Sequence, residues 1–290
     1  MAPKHICIAL LIMFVWGINN TIIRLASFEI PPLLLLSLRL SIGGILFLPW
    51  VKKLPRDQIK PLFLYGLCIG FLHYVTLYLG LSYIEASLSL LISQTTTAFS
   101  VILGVFLFKE KIGHKTLIGL IIAYVGVLVI FSFPDADFHL LGALLTLFTC
   151  FMAACGFAAA TKLNKVNFAS MISYSYLGAV PFVFLTSLIL ENGQMDAFIS
   201  IDPVWLAGIL LYQAVGLSVS HFYWKELLTK NPISIVSPFM LTLPIFGLIS
   251  AYFILGEVLS IAEIIGGVLT FIGITVIMAR RAQKQAPSKS

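Results

Sequence analysis

The sequence predicts an all-α integral membrane protein with ten transmembrane helices in a 5+5 inverted repeat. Three observations carry that expectation. Hydrophobic residues make up 60% of the 290 and charged residues only 10%, with a mean hydropathy of +1.04; soluble domains carry about 25% charged residues. The basic residues sort to one side when ten spans are counted. The two halves also match each other at a constant offset of 147 residues, as Glu110 to Glu257. The apolar runs are continuous rather than alternating, which excludes a β-barrel.

A span takes about 20 apolar residues. The segments are roughly 5–26, 32–51, 61–81, 86–108, 114–132, 139–161, 168–190, 203–225, 232–255 and 260–280. The breaks are short and of turn-forming composition: Pro31-Pro32, Lys52 to Lys60, Asp135 to Asp137, Asn192-Gly193 and Asn231-Pro232. The organisation expected is a first five-helix repeat over 1–132, a second over 139–281, and a disordered cytoplasmic tail over 282–290. Lys4 precedes an apolar run long enough to span and without a small-residue cleavage site, so the first helix is expected to be retained.

With both termini cytoplasmic, 16 of the 18 Lys and Arg residues fall in cytoplasmic segments, leaving Arg24 and Arg39. Acidic residues such as Glu29, Glu85, Glu191, Asp202 and Glu257 fall on the opposite side. The Lys/Arg bias sets orientation. The net charge of +6 does not point to nucleic acid, because the basic residues sit in short loops between spans. Cys7, Cys68, Cys150 and Cys155 lie in apolar spans without metal-ligand spacing and are expected to be small buried residues.

The repeat is clearest where Lys109–Ile130 aligns with Gly256–Ile277. Glu110/Glu257, Ile118/Ile265, Gly119/Gly266, Gly126/Gly273, Val129/Val276 and Ile130/Ile277 are identical, and Ser87/Ser234 and Tyr65/Tyr212 keep the offset. Five spans per half is odd, so the halves must run in opposite orientation. The fourth span, Ala86 to Glu110, carries Ser93-Gln94-Thr95-Thr96-Thr97 and then Ser100, more polar groups than lipid-facing helix tolerates. Its counterpart, Ile233 to Glu257, is broken by Pro238 and Pro244. Interrupted spans in matching positions of two halves point to a transporter's midplane binding site.

The candidate substrate-binding residues are Trp16, Asn19, His73, Tyr74, Gln94, Tyr174, His221 and Trp224. Trp16 and Asn19 belong to Trp16-Gly17-Ile18-Asn19-Asn20-Thr21; the asparagines either hydrogen-bond substrate or join helices beside a close glycine contact. Arg39 lies seven residues past Pro32, about 10 Å into its helix. It either attracts an anionic group or is a snorkelling or carbonyl-paired structural arginine. His73 in span 3 and His221 in span 8 fall near equivalent repeat positions, and histidine titrates near neutral pH. Each either lines a shared cavity or is a satisfied core residue. Within Ser173-Tyr174-Ser175-Tyr176, helical spacing puts Ser173 and Tyr174 on different sides. Polar side chains concentrate in most of spans 1, 3, 4, 8 and 9, which are expected to enclose the cavity together with span 6 as the repeat partner of span 1; the glycine-bearing spans 5 and 10 are expected to pack outside. Motifs for hydrolysis or nucleotide binding are absent, so no enzyme activity, cofactor or metal is expected.

Trp16-Gly17 with Asn19, Leu38-Arg39, Gln94 with Glu110, Ala154-Cys155-Gly156, Pro238, Pro244 and Glu257 together resemble the EamA-type branch of the drug/metabolite transporter superfamily across essentially the whole chain. The pattern is most similar to bacterial exporters of amino acids and their precursors, of the cysteine/O-acetylserine kind. That resemblance implies ten helices, a central cavity and the bacterial inner membrane. One departure is that the family often has Trp near the Cys155 position, where this chain reads Phe-Met-Ala-Ala-Cys-Gly. The expected function is export of amino acids or related zwitterions by alternating access. The alternatives are uptake or exchange of a nucleoside-type metabolite such as S-adenosylmethionine, multidrug export, or a membrane sensor or scaffold. The partners implied are a small-molecule substrate and lipid, with a proton or counter-substrate for coupling and no nucleic acid; a monomer is compatible with this.

The charge pattern makes a topology prediction. Reporter fusions after Lys53, Lys115, Lys165, Lys230 and Arg281 should all read cytoplasmic. A periplasmic signal from any of them would break the ten-span assignment.

Overall fold

The computed structural model describes residues 3–109, 113–132, 139–230 and 237–285. Glu110, Lys111, the Asp135 to Asp137 break, Asn231-Pro232, Ser234 and the tail from residue 286 lie outside the described residues. Among the described residues every regular element is helical. Among these residues, six helical stretches are long and apolar enough to cross a membrane: Pro3–Ala26, Arg56–Tyr83, Ala86–Phe108, Leu140–Ala160, Phe168–Leu190 and Pro203–Trp224. Shorter apolar helices occupy Pro32–Leu46, Thr116–Ile130, Leu243–Leu255 and Ile261–Val276. The chain is a multi-pass membrane protein.

In order, the helices are α1 (Pro3–Gly17), α2 (Asn19–Ala26), α3 (Pro32–Leu46), α4 (Arg56–Tyr65), α5 (Tyr74–Tyr83), α6 (Ala86–Ser93), α7 (Thr95–Phe108), α8 (His114–Ser132), α9 (Leu140–Ala160), α10 (Phe168–Leu190), α11 (Gln194–Ser200), α12 (Pro203–Leu210), α13 (Leu217–Lys230), α14 (Leu243–Ser250) and α15 (Ile261–Gln285). Proline starts α3 and α12, where a missing N–H costs nothing. The second span was expected to reach residue 51, but α3 ends at Leu46 and a 3₁₀ turn follows over Leu48–Trp50. Pro49 in that turn has no N–H with which to continue an α-helix. Helix α15 runs to Gln285, with no proline in the sequence from its start until Pro287.

Among the described residues three spans contain π-helical turns: Gly66–His73 between α4 and α5, Leu211–Gly216 between α12 and α13, and Ala251–Leu255 after α14. The offset of 147 residues carries 66–69 onto 213–216, so the first two stretches overlap in equivalent positions of the repeat. Wide turns of this kind concentrate at functional sites.

The chain divides into two compact units, and each draws on both sequence halves. The first unit holds Met1–Thr21, Glu85–Phe138 and Val219–Ser290. Within it, α8 and α15 cross at backbone contact. A Cβ on Gly126 would stand 2.5 Å from the Gly266 carbonyl oxygen, and one on Gly273 would stand 2.5 Å from that of Gly119. These two contacts exchange under the repeat offset, since Gly119 pairs with Gly266 and Gly126 with Gly273. Ala123 and Thr270 are also offset partners, and they meet directly, with the Thr270 hydroxyl 3.3 Å from the Ala123 carbonyl. The contact is therefore isologous within one chain, like that of a two-fold dimer. Outward, α8 exposes Leu117, Ile121 and Leu128, and α15 exposes Ile261, Ile265 and Val268, surfaces suited to lipid.

The same unit joins spans 1, 4 and 9. Gly17 lies so close to α14 that a Cβ would be 2.8 Å from the Leu243 carbonyl. Asn20 Nδ2 donates to Ser89 Oγ at 3.2 Å, and the hydroxyls of Thr21 and Ser250 share a 2.7 Å bond. Glu257 accepts from the backbone N–H groups of Ala86 and Ser87, both at 2.8 Å, so it caps α6 from a distant part of the chain. These are first-turn donors with no intrahelical acceptor.

The second unit holds Ile22–Ile84 and His139–Ser218. It repeats the device: Glu191 accepts from Leu33 N at 2.7 Å and Leu34 N at 3.2 Å at the start of α3. Gly43 and Gly44 let α10 approach with Tyr176 and Leu177, and Ser173 Oγ donates to the Gly44 carbonyl at 2.9 Å. Thr76 and Thr149 share a 2.6 Å hydroxyl bond between α5 and α9.

The cysteines depart from the expectation of uniform burial. Only Cys150 is buried; Cys68 and Cys155 are half-buried and Cys7 is exposed. Cys7 shares the outward face of α1 with Leu10, Leu11 and Phe14, where apolar rather than buried is the requirement.

Two stability effects follow. Glu257→Gln removes a charge from a helix amino end but keeps an acceptor, and should cost about 1–2 kcal/mol, read as a lower melting temperature. Gly273→Leu cannot be accommodated against backbone atoms and should reduce folded yield far more than Gly178→Leu, where a Cβ meets nothing within 4 Å.

Candidate functional site

Five of the eight candidate residues fall in the first unit. Trp16 is the penultimate residue of α1, just before the Gly17 crossing, and the helix is interrupted at Ile18 before α2 resumes. Its indole Nε1 donates to Ser220 Oγ at 2.7 Å. Its ring lies 4.6 Å from the His221 imidazole at 34°, and 5.5 Å from Trp224 at 59°. The three rings thus form one half-buried aromatic cluster across α1 and α13. Behind it pack Met13, Leu227, Phe239, Leu243 and Phe246.

Asn19 follows Trp16 by three residues. Its Oδ1 is buried and accepts no hydrogen bond among the described residues. Neighbouring Asn20 is committed to Ser89, so the two asparagines divide the alternatives: one joins helices and the other keeps an open acceptor. Gln94 sits at the junction of α6 and α7, where the backbone tightens into i to i+3 bonds from Gln94 N to Leu91 O and from Thr97 N to Gln94 O. Its side chain is half-buried and makes only a long 3.4 Å bond to the Leu90 carbonyl. Both amides therefore retain hydrogen-bonding capacity inside an apolar span, where an unmet group is expensive.

The other three candidates lie in the second unit. His73 closes the π-helical stretch and pairs through Nδ1 with the Thr149 carbonyl at 3.2 Å. His73 thus leans on α9 of span 6 much as His221 leans on α1 of span 1, the repeat counterpart. Tyr74 is buried, with its hydroxyl 3.3 Å from that of Tyr176. Tyr174 is 43% exposed, while Ser173, Ser175 and Tyr176 on the same helix are buried, as the helical spacing of that run required.

Residues outside the candidate set also gather here. Arg39 is buried, donates from Nη1 to the Tyr78 hydroxyl at 3.1 Å, and holds its guanidinium 4.3 Å from the Tyr74 ring centroid. Tyr78 passes the chain of donors on to Gln213 Oε1. Ser220 and Gln213 were visible in the sequence as polar residues of an apolar span. Nothing in their spacing distinguished them from Ser218, because their partners, Trp16 and Tyr78, are over a hundred residues away. No group of three or more metal-ligating side chains occurs among the described residues.

Comparison with known proteins places this arrangement. The EamA-like transporter family matches the chain twice, over residues 3–132 and 140–279. A protein of Salmonella typhimurium described as a probable amino-acid metabolite efflux pump is 30% identical over 285 residues, covering 95% of each chain. Its Escherichia coli K12 counterpart, described in the same words, matches to the same extent. An uncharacterized transporter of Archaeoglobus fulgidus is 26% identical over 96% of this chain and 99% of its own. A solved crystal structure superposes with a TM-score of 0.65 over 100% of this chain and 99% of that one, at 15% identity, a likeness of fold alone. The relatives are transporters rather than enzymes. The chain belongs to the EamA-like transporter family, and is a membrane transporter.

Proposed function

We propose that the chain is a secondary transporter that exports amino acids or related zwitterionic metabolites across the bacterial inner membrane by alternating access. In this reading it has ten spans, both termini are cytoplasmic, and the five-helix halves 1–132 and 139–281 are inverted repeats. The observation that carries the substrate class is the cluster of Trp16, His221 and Trp224 with the open Asn19 acceptor three residues away. Indole faces attract an ammonium group. The Asn19 oxygen accepts from the same ammonium, and the imidazole of His221 donates to a carboxylate. Gln94 offers both donor and acceptor and suits either end. The description of the Salmonella and Escherichia coli relatives favours the same class. His73, Tyr74 and Tyr174 are the substrate-binding residues proposed within the second unit. The inverted repeat is supported by the reciprocal crossing of α8 and α15 around Ala123 and Thr270.

The test is flux of radiolabelled amino acids in proteoliposomes with the purified protein. Gln94→Leu and His221→Phe each remove hydrogen bonds with little change in volume. Each should weaken substrate binding by about 1–3 kcal/mol, roughly five- to a hundred-fold, while the melting temperature stays near that of wild type. Trp16→Leu should lose affinity for the zwitterion and for its decarboxylated amine alike, because it removes the cation-attracting face. Wild-type affinity in all three folded variants would sink this assignment of the site.

A further inference from the structure

We propose that the second unit contains an anion site built on Arg39, Tyr74, Tyr78 and Gln213, and that it takes a carboxylate group. Arg39 is 2% exposed and Gln213 1% exposed. Arg39 makes no ion pair with any described carboxylate; the two salt bridges among the described residues are Lys165 with Asp57 and Lys230 with Glu226. The guanidinium is a permanent cation, so its burial has to be compensated locally. Its described surroundings are neutral: the Tyr74 ring at 4.3 Å from Cζ, the Tyr78 ring at 5.9 Å, and the Tyr78 hydroxyl as the sole acceptor among the described residues.

Two donors of this cluster stay unmet. Arg39 Nε and Gln213 Nε2 are both buried without a hydrogen-bond partner among the described residues. The same Tyr78 hydroxyl holds both side chains in place, accepting from Arg39 and donating to Gln213 Oε1. Tyr74 is held in turn by Tyr176. A guanidinium edge matches the two oxygens of a carboxylate, and the amide nitrogen supplies a further donor. A snorkelling arginine would reach the interface, and a carbonyl-paired one would show a backbone acceptor; Arg39 does neither. Because the guanidinium is enclosed, loading requires a state in which the cluster opens, as binding-competent minor states of transporters do.

The carboxylate belongs either to the transported metabolite, in which case this inference rests on the proposed zwitterionic substrate, or to the wider class of small free anions. Thermal unfolding of the full-length protein in lipid nanodiscs separates them, with ionic strength held by a bulky sulfonate buffer and sodium acetate, sodium chloride, L-serine and L-serinamide as probes. Acetate and L-serine should raise the melting temperature of wild type saturably by mass action, and L-serinamide should not. Chloride acting as well as acetate, with no response to L-serine, would overturn the carboxylate assignment. Gln213→Glu places a carboxylate one hydroxyl away from the guanidinium; it should be more stable than wild type without ligand and gain nothing from acetate. Arg39→Met should not respond, and if it does not fold, Gln213→Glu decides alone. A wild type without a saturable anion response, or an equal response in Gln213→Glu, overturns the proposal. Amino-acid flux without any anion response would remove this site and leave the proposed function standing. Anion binding without amino-acid flux would do the reverse.

Discussion

The hydrocarbon core supplies no water, and every polar group carried into it must find its partner in the protein. That constraint explains the two features the units share. Glu191 and Glu257 each reach from a distant segment to the amino end of another helix and accept two backbone N–H groups there. An unmet donor at such an end costs several kcal/mol, and a carboxylate also complements the positive end of the helix dipole. The amide–hydroxyl pair Asn20–Ser89 and the hydroxyl pairs Thr21–Ser250 and Thr76–Thr149 do the same work within the spans.

With polar groups settled so consistently, the few that are not settled carry the information. Among the described residues Asn19 Oδ1, Arg39 Nε, Ser175 Oγ and Gln213 Nε2 are buried without partners, and the Gln94 amide is held only by a long bond. Arg39 and Gln213 both hydrogen-bond the Tyr78 hydroxyl, and Asn19 follows Trp16 by three residues. Recognition of a zwitterion needs both kinds of surface, a π face for the ammonium and convergent N–H groups for the carboxylate. Small close-packed residues provide the rigid frame: without side chains at Gly17, Gly126 and Gly273, backbones meet directly and hold the helices in register.

The membrane class, the helical content, the positions of the apolar segments and the interrupted fourth span could all be read from the sequence, because hydropathy acts over contiguous residues. So could the pairing of Gly119/Gly266 and Gly126/Gly273, whose shared offset reappears as a reciprocal contact between α8 and α15. The family, too, was legible in short motifs such as Trp16-Gly17 and Leu38-Arg39. Which polar residue bonds which was not. Asn19 and Asn20 are adjacent and chemically identical, yet one is tied to Ser89 and the other is open.

What the sequence determined by itself was therefore local: apolar length, charge asymmetry, proline and glycine placement, and the internal offset. Tertiary structure decided the rest. It gave Glu257 and Glu191 their roles as caps, set Trp16 against His221 and Trp224, and left Arg39 enclosed by tyrosines rather than by a carboxylate. It also formed each compact unit from segments of both halves. The physical reason is that burial and hydrogen bonding depend on distances between residues tens to hundreds of positions apart, and those distances exist only once the helices have packed.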